Sequence, residues 1–257
     1  MSSICLIGNS HVANLKMALP VVLPDFPGMD LVFFASDGRS MELEINSGRL
    51  VGCEEFVRDR MAMTSGRDGG IAPIYDAYVI CGLTLSSIRA LRTFWVTMKE
   101  LRAIGRNKSV TPEIVARGME TAVKGSLAID IVSKLRRITN APAFVIATPL
   151  SARERHVDTW STLEKRRQVE LVANGFNLAC HQASQEHAAT FLPQPQETIG
   201  PNAFTTRPEF YRLSPEETAV ETAHHAHMNT AFGAIVLRDA LIHTRETLSS
   251  SPGLEPT

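Results

Sequence analysis

Ser10 stands in the segment Gly8-Asn9-Ser10-His11, between the apolar run Ile4–Ile7 and a helical pattern over Val12–Leu19. A serine in that place sits near a helix N-terminus, among backbone N–H groups and the positive end of the helix dipole. The setting suits a nucleophile whose attack creates an oxyanion. The plainer role for such a serine is a helix N-cap. Towards the other end, His224-His225-Ala226-His227-Met228-Asn229 places three histidines within four residues, at the entry to the last helical pattern. Histidine changes charge near neutral pH, so the cluster offers a general base or a metal site. A metal needs three or four converging ligands, and no Cys, Asp or Glu cluster supplies the rest. The expectation is therefore a base, with no metal and no other cofactor.

These residues need a scaffold that brings the two ends of the chain together. Short apolar runs at Ile4–Ile7, Leu31–Ala35, Ala77–Cys81, Ala143–Ala147 and Ala189–Leu192 read as buried strands. Helical patterns fall between them, at Val12–Leu19, Leu85–Ile104, Pro112–Ile138 and Leu163–Glu186, with a last one over Met228–Leu248. Thr111-Pro112-Glu113 marks a helix start, with Thr111 as N-cap and Pro112 at the first helical position. Such alternation predicts an α/β fold, a three-layer sandwich whose mostly parallel five-stranded sheet is flanked by helices. Asn46–Pro73 reads as a glycine-containing, loop-rich insertion with one extra hairpin, and Pro193–Pro215 as a long connection of the kind that walls a substrate site. Residues 1–248 are expected to form a single domain, and residues 249–257 a disordered tail.

Together the two segments resemble the SGNH (GDSL-like) hydrolase family, whose nucleophile serine follows the first strand and whose histidine precedes the last helix. Gly8-Asn9-Ser10-His11 matches the first motif, with Asn9 in place of an aspartate. His227, followed by Asn229 and Phe232-Gly233, matches the closing one. The resemblance runs from Ile4 to about His243 and implies an SGNH/flavodoxin-like sheet and a serine esterase. It assigns Ser10 as nucleophile and His227 as base. It implies an oxyanion held by the backbone N–H groups of Ser10 and Gly38, the glycine after the second strand. Gly82-Leu83-Thr84 stands where the family has Gly-x-Asn, so Thr84 takes the place of an asparagine donor. His224 takes the place of the aspartate that orients the base, which leaves a Ser–His dyad, or Glu221 in the orienting role. Acyl transfer with the same pair, and a binding module that kept the fold without turnover, are the rival readings.

Composition narrows the partners. The 26 Lys and Arg residues nearly balance 27 Asp and Glu, which gives no electrostatic reason to expect nucleic acid or an anionic membrane. No apolar stretch approaches the roughly 20 residues that cross a bilayer, and no basic, apolar leader opens the chain. Four well-separated cysteines with no CxxC pair read as reduced thiols, so the expected location is cytoplasmic. Neither Gly-x-Gly-x-x-Gly after the first strand nor a P-loop occurs, so nucleotide cradles are not expected. The expected partner is a small-molecule or glycan ester. The oligomeric state, monomer or homo-oligomer, stays open.

Overall fold

The computed structural model describes residues 1–36, 41–103, 111–152, 158, 161, 168–201, 204–211 and 227–250. In chain order its strands are β1 (Ser2–Gly8), β2 (Met29–Ala35), β3 (Leu43–Asn46), β4 (Arg49–Gly52), β5 (Gly70–Ile71), β6 (Ala77–Cys81), β7 (Ala143–Ile146) and β8 (Thr190–Leu192). The helices are α1 (Val12–Val22), α2 (Glu55–Ser65), α3 (Ser87–Ala103), α4 (Pro112–Lys124), α5 (Leu127–Leu135), α6 (Val169–Gln185) and α7 (Thr230–Ser250).

Five strands form one sheet in the order β2-β1-β6-β7-β8, and every neighbouring pair is parallel. All five are the runs expected from the sequence. Their continuous apolar character has a direct cause, because both faces are covered. In β1, Ile4 and Leu6 point into a core shared with α1 and α7, whereas Cys5 and Ile7 point into the core shared with α2 and α4–α6. The sheet is thus the middle of three layers. Counted within this sheet alone, the order is 2-1-3-4-5, the doubly wound flavodoxin-like arrangement. The strand order reverses between β1 and β6, where ligands of such sheets lie beyond the carboxyl ends of the strands.

Two segments depart from the sequence reading in instructive ways. The pattern Pro112–Ile138 is not one helix but two, parted at Gly125-Ser126. Thr111 caps α4 as expected, its hydroxyl accepting from Ile114 N–H, while Ser126 opens α5 by accepting from Ile129 N–H. The next two amides of α5 are satisfied from outside: Leu127 N–H donates to Thr84 Oγ1 and Ala128 N–H to the Leu83 carbonyl. Periodicity alone runs through this break, because the apolar face continues on both sides of it. The insertion is likewise more ordered than loop-rich spacing implies. β3, β4 and β5 form a small antiparallel sheet, and α2 packs between it and β2. The Arg49 guanidinium ties this sheet together, paired with both Asp68 carboxylate oxygens (2.7 and 2.6 Å) and donating to the Gly70 carbonyl (2.7 Å).

α1 and α7 lie side by side on one face. A Cβ at Gly233 would stand 2.2 Å from the Asn14 carbonyl oxygen, so only glycine permits this approach. α7 runs on to Ser250, two residues into the stretch read as tail. No helix among the described residues is long and apolar enough to cross a membrane.

Candidate active site

The loops that leave β1 and β6 meet at the reversal point. After Gly8 the chain turns through Asn9-Ser10-His11 before α1 begins, with Asn9 and Ser10 carbonyls accepting from Val12 and Ala13 N–H. Gly8 is obligatory here, since a Cβ would lie 2.2 Å from Val12 Cγ2 and 2.6 Å from the Cys81 carbonyl oxygen. Asn9 is buried, and its Oδ1 accepts from His11 N–H (3.2 Å), an Asx turn that shapes the bend. Ser10 is exposed and its hydroxyl hydrogen-bonds to none of the described residues. The N-cap of α1 is His11, and no side chain caps that helix. The structural role for Ser10 is therefore unfilled, and its hydroxyl is left to solvent or to a ligand.

The β6 loop is held in an unusual backbone path. Gly82, Leu83 and Thr84 have consecutive positive φ values of 78°, 50° and 63°. Leucine and threonine in the left-handed region cost on the order of 1–3 kcal/mol each, and such strain persists only where surroundings over-determine it. Here they do. Gly82 N–H donates to the Ile146 carbonyl, the Gly82 carbonyl accepts from Leu85 N–H, and the Leu85 carbonyl accepts from Thr148 N–H. The α5 amides hold Leu83 and Thr84 from the other side. An added Cβ on Gly82 would meet Asn9 Oδ1 at 2.6 Å, so the two loops are pressed together at this point. Thr84 occupies the expected position in the chain, but its oxygen is engaged by the α5 amide. Its one proton remains the only means by which it could serve an oxyanion.

The closing segment arrives from the far end of the chain. The ring of His227 packs against that of His11, centroids 5.8 Å apart and planes tilted by 43°. Asn229 anchors the segment: its Oδ1 accepts from Phe232 N–H, capping α7, and its Nδ2 donates to the Glu209 carbonyl. The Tyr211–Met228 bridge fixes the same stretch from one residue earlier. The His227 ring thus rests on His11, the residue that follows Ser10 in a turn pressed against Gly82. Gly38, Glu221 and His224 lie outside the described residues.

Two hollows flank this turn. On the α7 side is a cavity of about 450 Å³, with His11, Asn14, Cys81, Ile146, Phe191, Phe232 and Val236 among its walls. It is largely apolar, and its volume is that of a small-molecule site. Burial pushes the Cys81 thiol up to about 12, so that group stays a neutral part of the wall. At the far end Asp239 and His243 face each other one helical turn apart, Oδ1 to Nδ1 3.6 Å. Burial raises the Asp239 carboxyl above its ordinary range, against the opposing pull of His243. On the α2 side is a smaller groove of about 200 Å³ that contains Ser10 itself, with Lys16, Ser36 and Arg60 along it. The sequence signals for His11, Asp239 and His243 were adjacency to Ser10 and an i,i+4 spacing on the last helix. Ser36, Lys16 and Arg60 carry no pattern of their own. Among the described residues no three His, Cys, Asp or Glu side chains converge on a metal-sized site.

The fold and the site together define a doubly wound α/β protein with a serine and a histidine at its switch point. No protein-family model matches the sequence, and no curated protein matches it significantly. Among solved structures, an extracellular lipase from Streptomyces rimosus aligns at 12% identity, covering 93% of this chain and 99% of that one, with a TM-score of 0.48. A second aligns at 14% identity over 97% of this chain and 100% of that one, with a TM-score of 0.42. What this chain does is argued below from its own residues.

Proposed function

We propose that this chain is a serine hydrolase of the SGNH type, acting on an ester or O-acyl group carried by a small molecule, a carbohydrate or a lipid. The observation that carries the reading is the meeting of His227 with the Ser10–His11 turn, across nearly the whole length of the chain. Ser10 Oγ attacks the acyl carbonyl as a ring nitrogen of His227 takes its proton, and the carbon–oxygen bond to the alcohol then breaks as that proton passes to the leaving oxygen. Water, deprotonated by the same histidine, attacks the acyl-enzyme and releases the acid. Free-enzyme catalytic hydrogen bonds are often loose, so a Ser10 hydroxyl without a described partner is compatible with this role. The backbone N–H groups of Ser10 and Gly38 are the assigned oxyanion donors, with Thr84 as a third. The apolar cavity gives the acyl portion a place to lie.

The test is labelling by a fluorophosphonate together with turnover of short-chain nitrophenyl esters. The wild type should label and turn over, and Ser10→Ala should do neither while keeping its far-UV circular dichroism. Labelling that survives in Ser10→Ala overturns the nucleophile. A wild type that neither labels nor turns over favours a binding protein of the same fold.

A further inference from the structure

The groove that holds Ser10 has a chemistry of its own, distinct from that of the apolar cavity on the other side of the turn. Its walls are Asn9, Ala13, Phe33, Ala35, Met63 and Thr64, with three polar groups whose roles the hydrolytic chemistry leaves open. Lys16, on α1, donates to the Thr64 carbonyl (3.0 Å) and lies over the Phe33 ring, 5.8 Å from its centroid. Arg60, on α2, stacks on Phe56 at 5.3 Å. Neither cation has an acidic partner among the described residues. Lys16 is held by a carbonyl and a ring and Arg60 by a ring, contacts that position a cation without neutralising it. The third group is Ser36, just beyond β2, which is 5% exposed and whose Oγ finds no hydrogen-bond partner among the described residues. A buried hydroxyl left unsatisfied is uncommon and calls for an explanation. Two unneutralised cations and an unsatisfied hydroxyl donor along one groove make a site for an oxyanion.

We infer that the Ser10 groove is an anion subsite, in which Lys16, Arg60 and Ser36 bind an acidic group of the substrate, a carboxylate or a phosphate, next to the ester that Ser10 attacks. This rests on the hydrolase reading for the identity of the attacked bond, but anion binding itself does not. The apolar cavity then takes the uncharged acyl portion, and the two hollows divide the substrate at the Asn9–His11 turn. The substrate class becomes an acyl ester of an acidic alcohol, such as a hydroxy acid, an acidic sugar or an alkyl phosphate.

Binding and chemistry are tested separately. Titration of the full chain with butyl phosphate and with butanoate at low salt, followed by nuclear magnetic resonance of backbone amides, should show saturable shifts around Ser10, Lys16 and Ser36. The stronger of the two ligands identifies the anion. Lys16→Met and Arg60→Met should each weaken binding by roughly three- to tenfold, and 0.5 M salt should weaken it further. Ser36→Ala should weaken it without changing the salt dependence, whereas Arg117→Met, on α4 and outside the groove, should leave it intact. The same anions should slow fluorophosphonate labelling of Ser10 in the wild type but not in the Lys16→Met, Arg60→Met double variant. Labelling without saturable anion binding overturns this inference and leaves the hydrolase reading standing. Anion binding that the double variant loses, in a protein that does not label, supports the subsite and overturns the hydrolase instead. Shifts that are unchanged in the double variant overturn the subsite.

Discussion

At the residue scale, two side chains of one type must be told apart. His11 shares a turn with Ser10 and His227 packs on His11, but neighbours in sequence do not direct their side chains to the same point, and His11 also faces the apolar cavity. On the proposed mechanism His227→Ala should lower kcat by at least about a hundredfold, the usual range for a general base. His11→Ala should act mainly on KM, through the cavity wall and the lost ring contact. Steady-state kinetics on one nitrophenyl ester separates the two, and the reverse pattern would make His11 the base. Thr84 poses a different question, because its hydroxyl already accepts from the α5 amide. Thr84→Val keeps the shape and strands the Leu127 N–H, so it should cost about 1–3 kcal/mol in urea unfolding. If the Thr84 proton also serves the oxyanion, kcat should fall as well. A stability loss with unchanged kcat would confine Thr84 to holding the loop.

At the element scale, the site depends on how closely α1 can approach α7 and β6. Gly233 and Gly8 are the contact points, each with backbone where a Cβ would go. Gly233→Ala forces α7 away from α1 or strains both, and should destabilise by about 1–3 kcal/mol, as overpacking does. Because α7 begins just after His227, the same substitution should also reduce fluorophosphonate labelling under conditions where the protein is still folded. Native structure with undiminished labelling would show that the position of α7 does not set that of His227. The small sheet obeys a different lever. Arg49 holds the Asp68 carboxyl down at about 2, from an ordinary value near 4. A depressed carboxyl pKa stabilises the fold above the unfolded value, and the contribution disappears as pH falls from about 4 towards 2. Asp68 is largely exposed, so Asp68→Asn should produce only a small loss of Tm at neutral pH, one that vanishes below pH 2.

At the scale of the whole molecule, the apolar cavity is built by β6, β7, β8, α1, α6 and α7 together, and no single segment contains it. Its lining residues on α7, from Phe232 to His243, span about 16 Å at the helical rise. Filling the middle of that length should shorten the substrate that fits. Val236→Trp is expected to leave acetyl ester turnover within about twofold and to reduce kcat/KM for octanoyl esters by tenfold or more. A parallel loss for both esters would place the acyl group elsewhere.

The sequence by itself determined the strands of the main sheet, though neither α2 nor the break between α4 and α5. The five main strands carry mostly apolar runs because both sides of the sheet are covered, and such runs are visible without any knowledge of contacts. Thr111-Pro112 announced its helix through local chemistry alone. The places of Ser10, between β1 and α1, and of His227, before α7, follow from element order in the same way. What the tertiary structure decided is everything that depends on one segment meeting another. It divided the Pro112–Ile138 pattern, because the amides at the start of α5 find acceptors in a loop some forty residues earlier. The same contacts hold Leu83 and Thr84 at positive φ, a conformation that neither residue favours and no local pattern predicts. It set His11 against His227, and it brought Ser36, Lys16 and Arg60 from three separate elements to the groove of Ser10. A local pattern records what a residue prefers, while a site records which residues the packed chain makes neighbours.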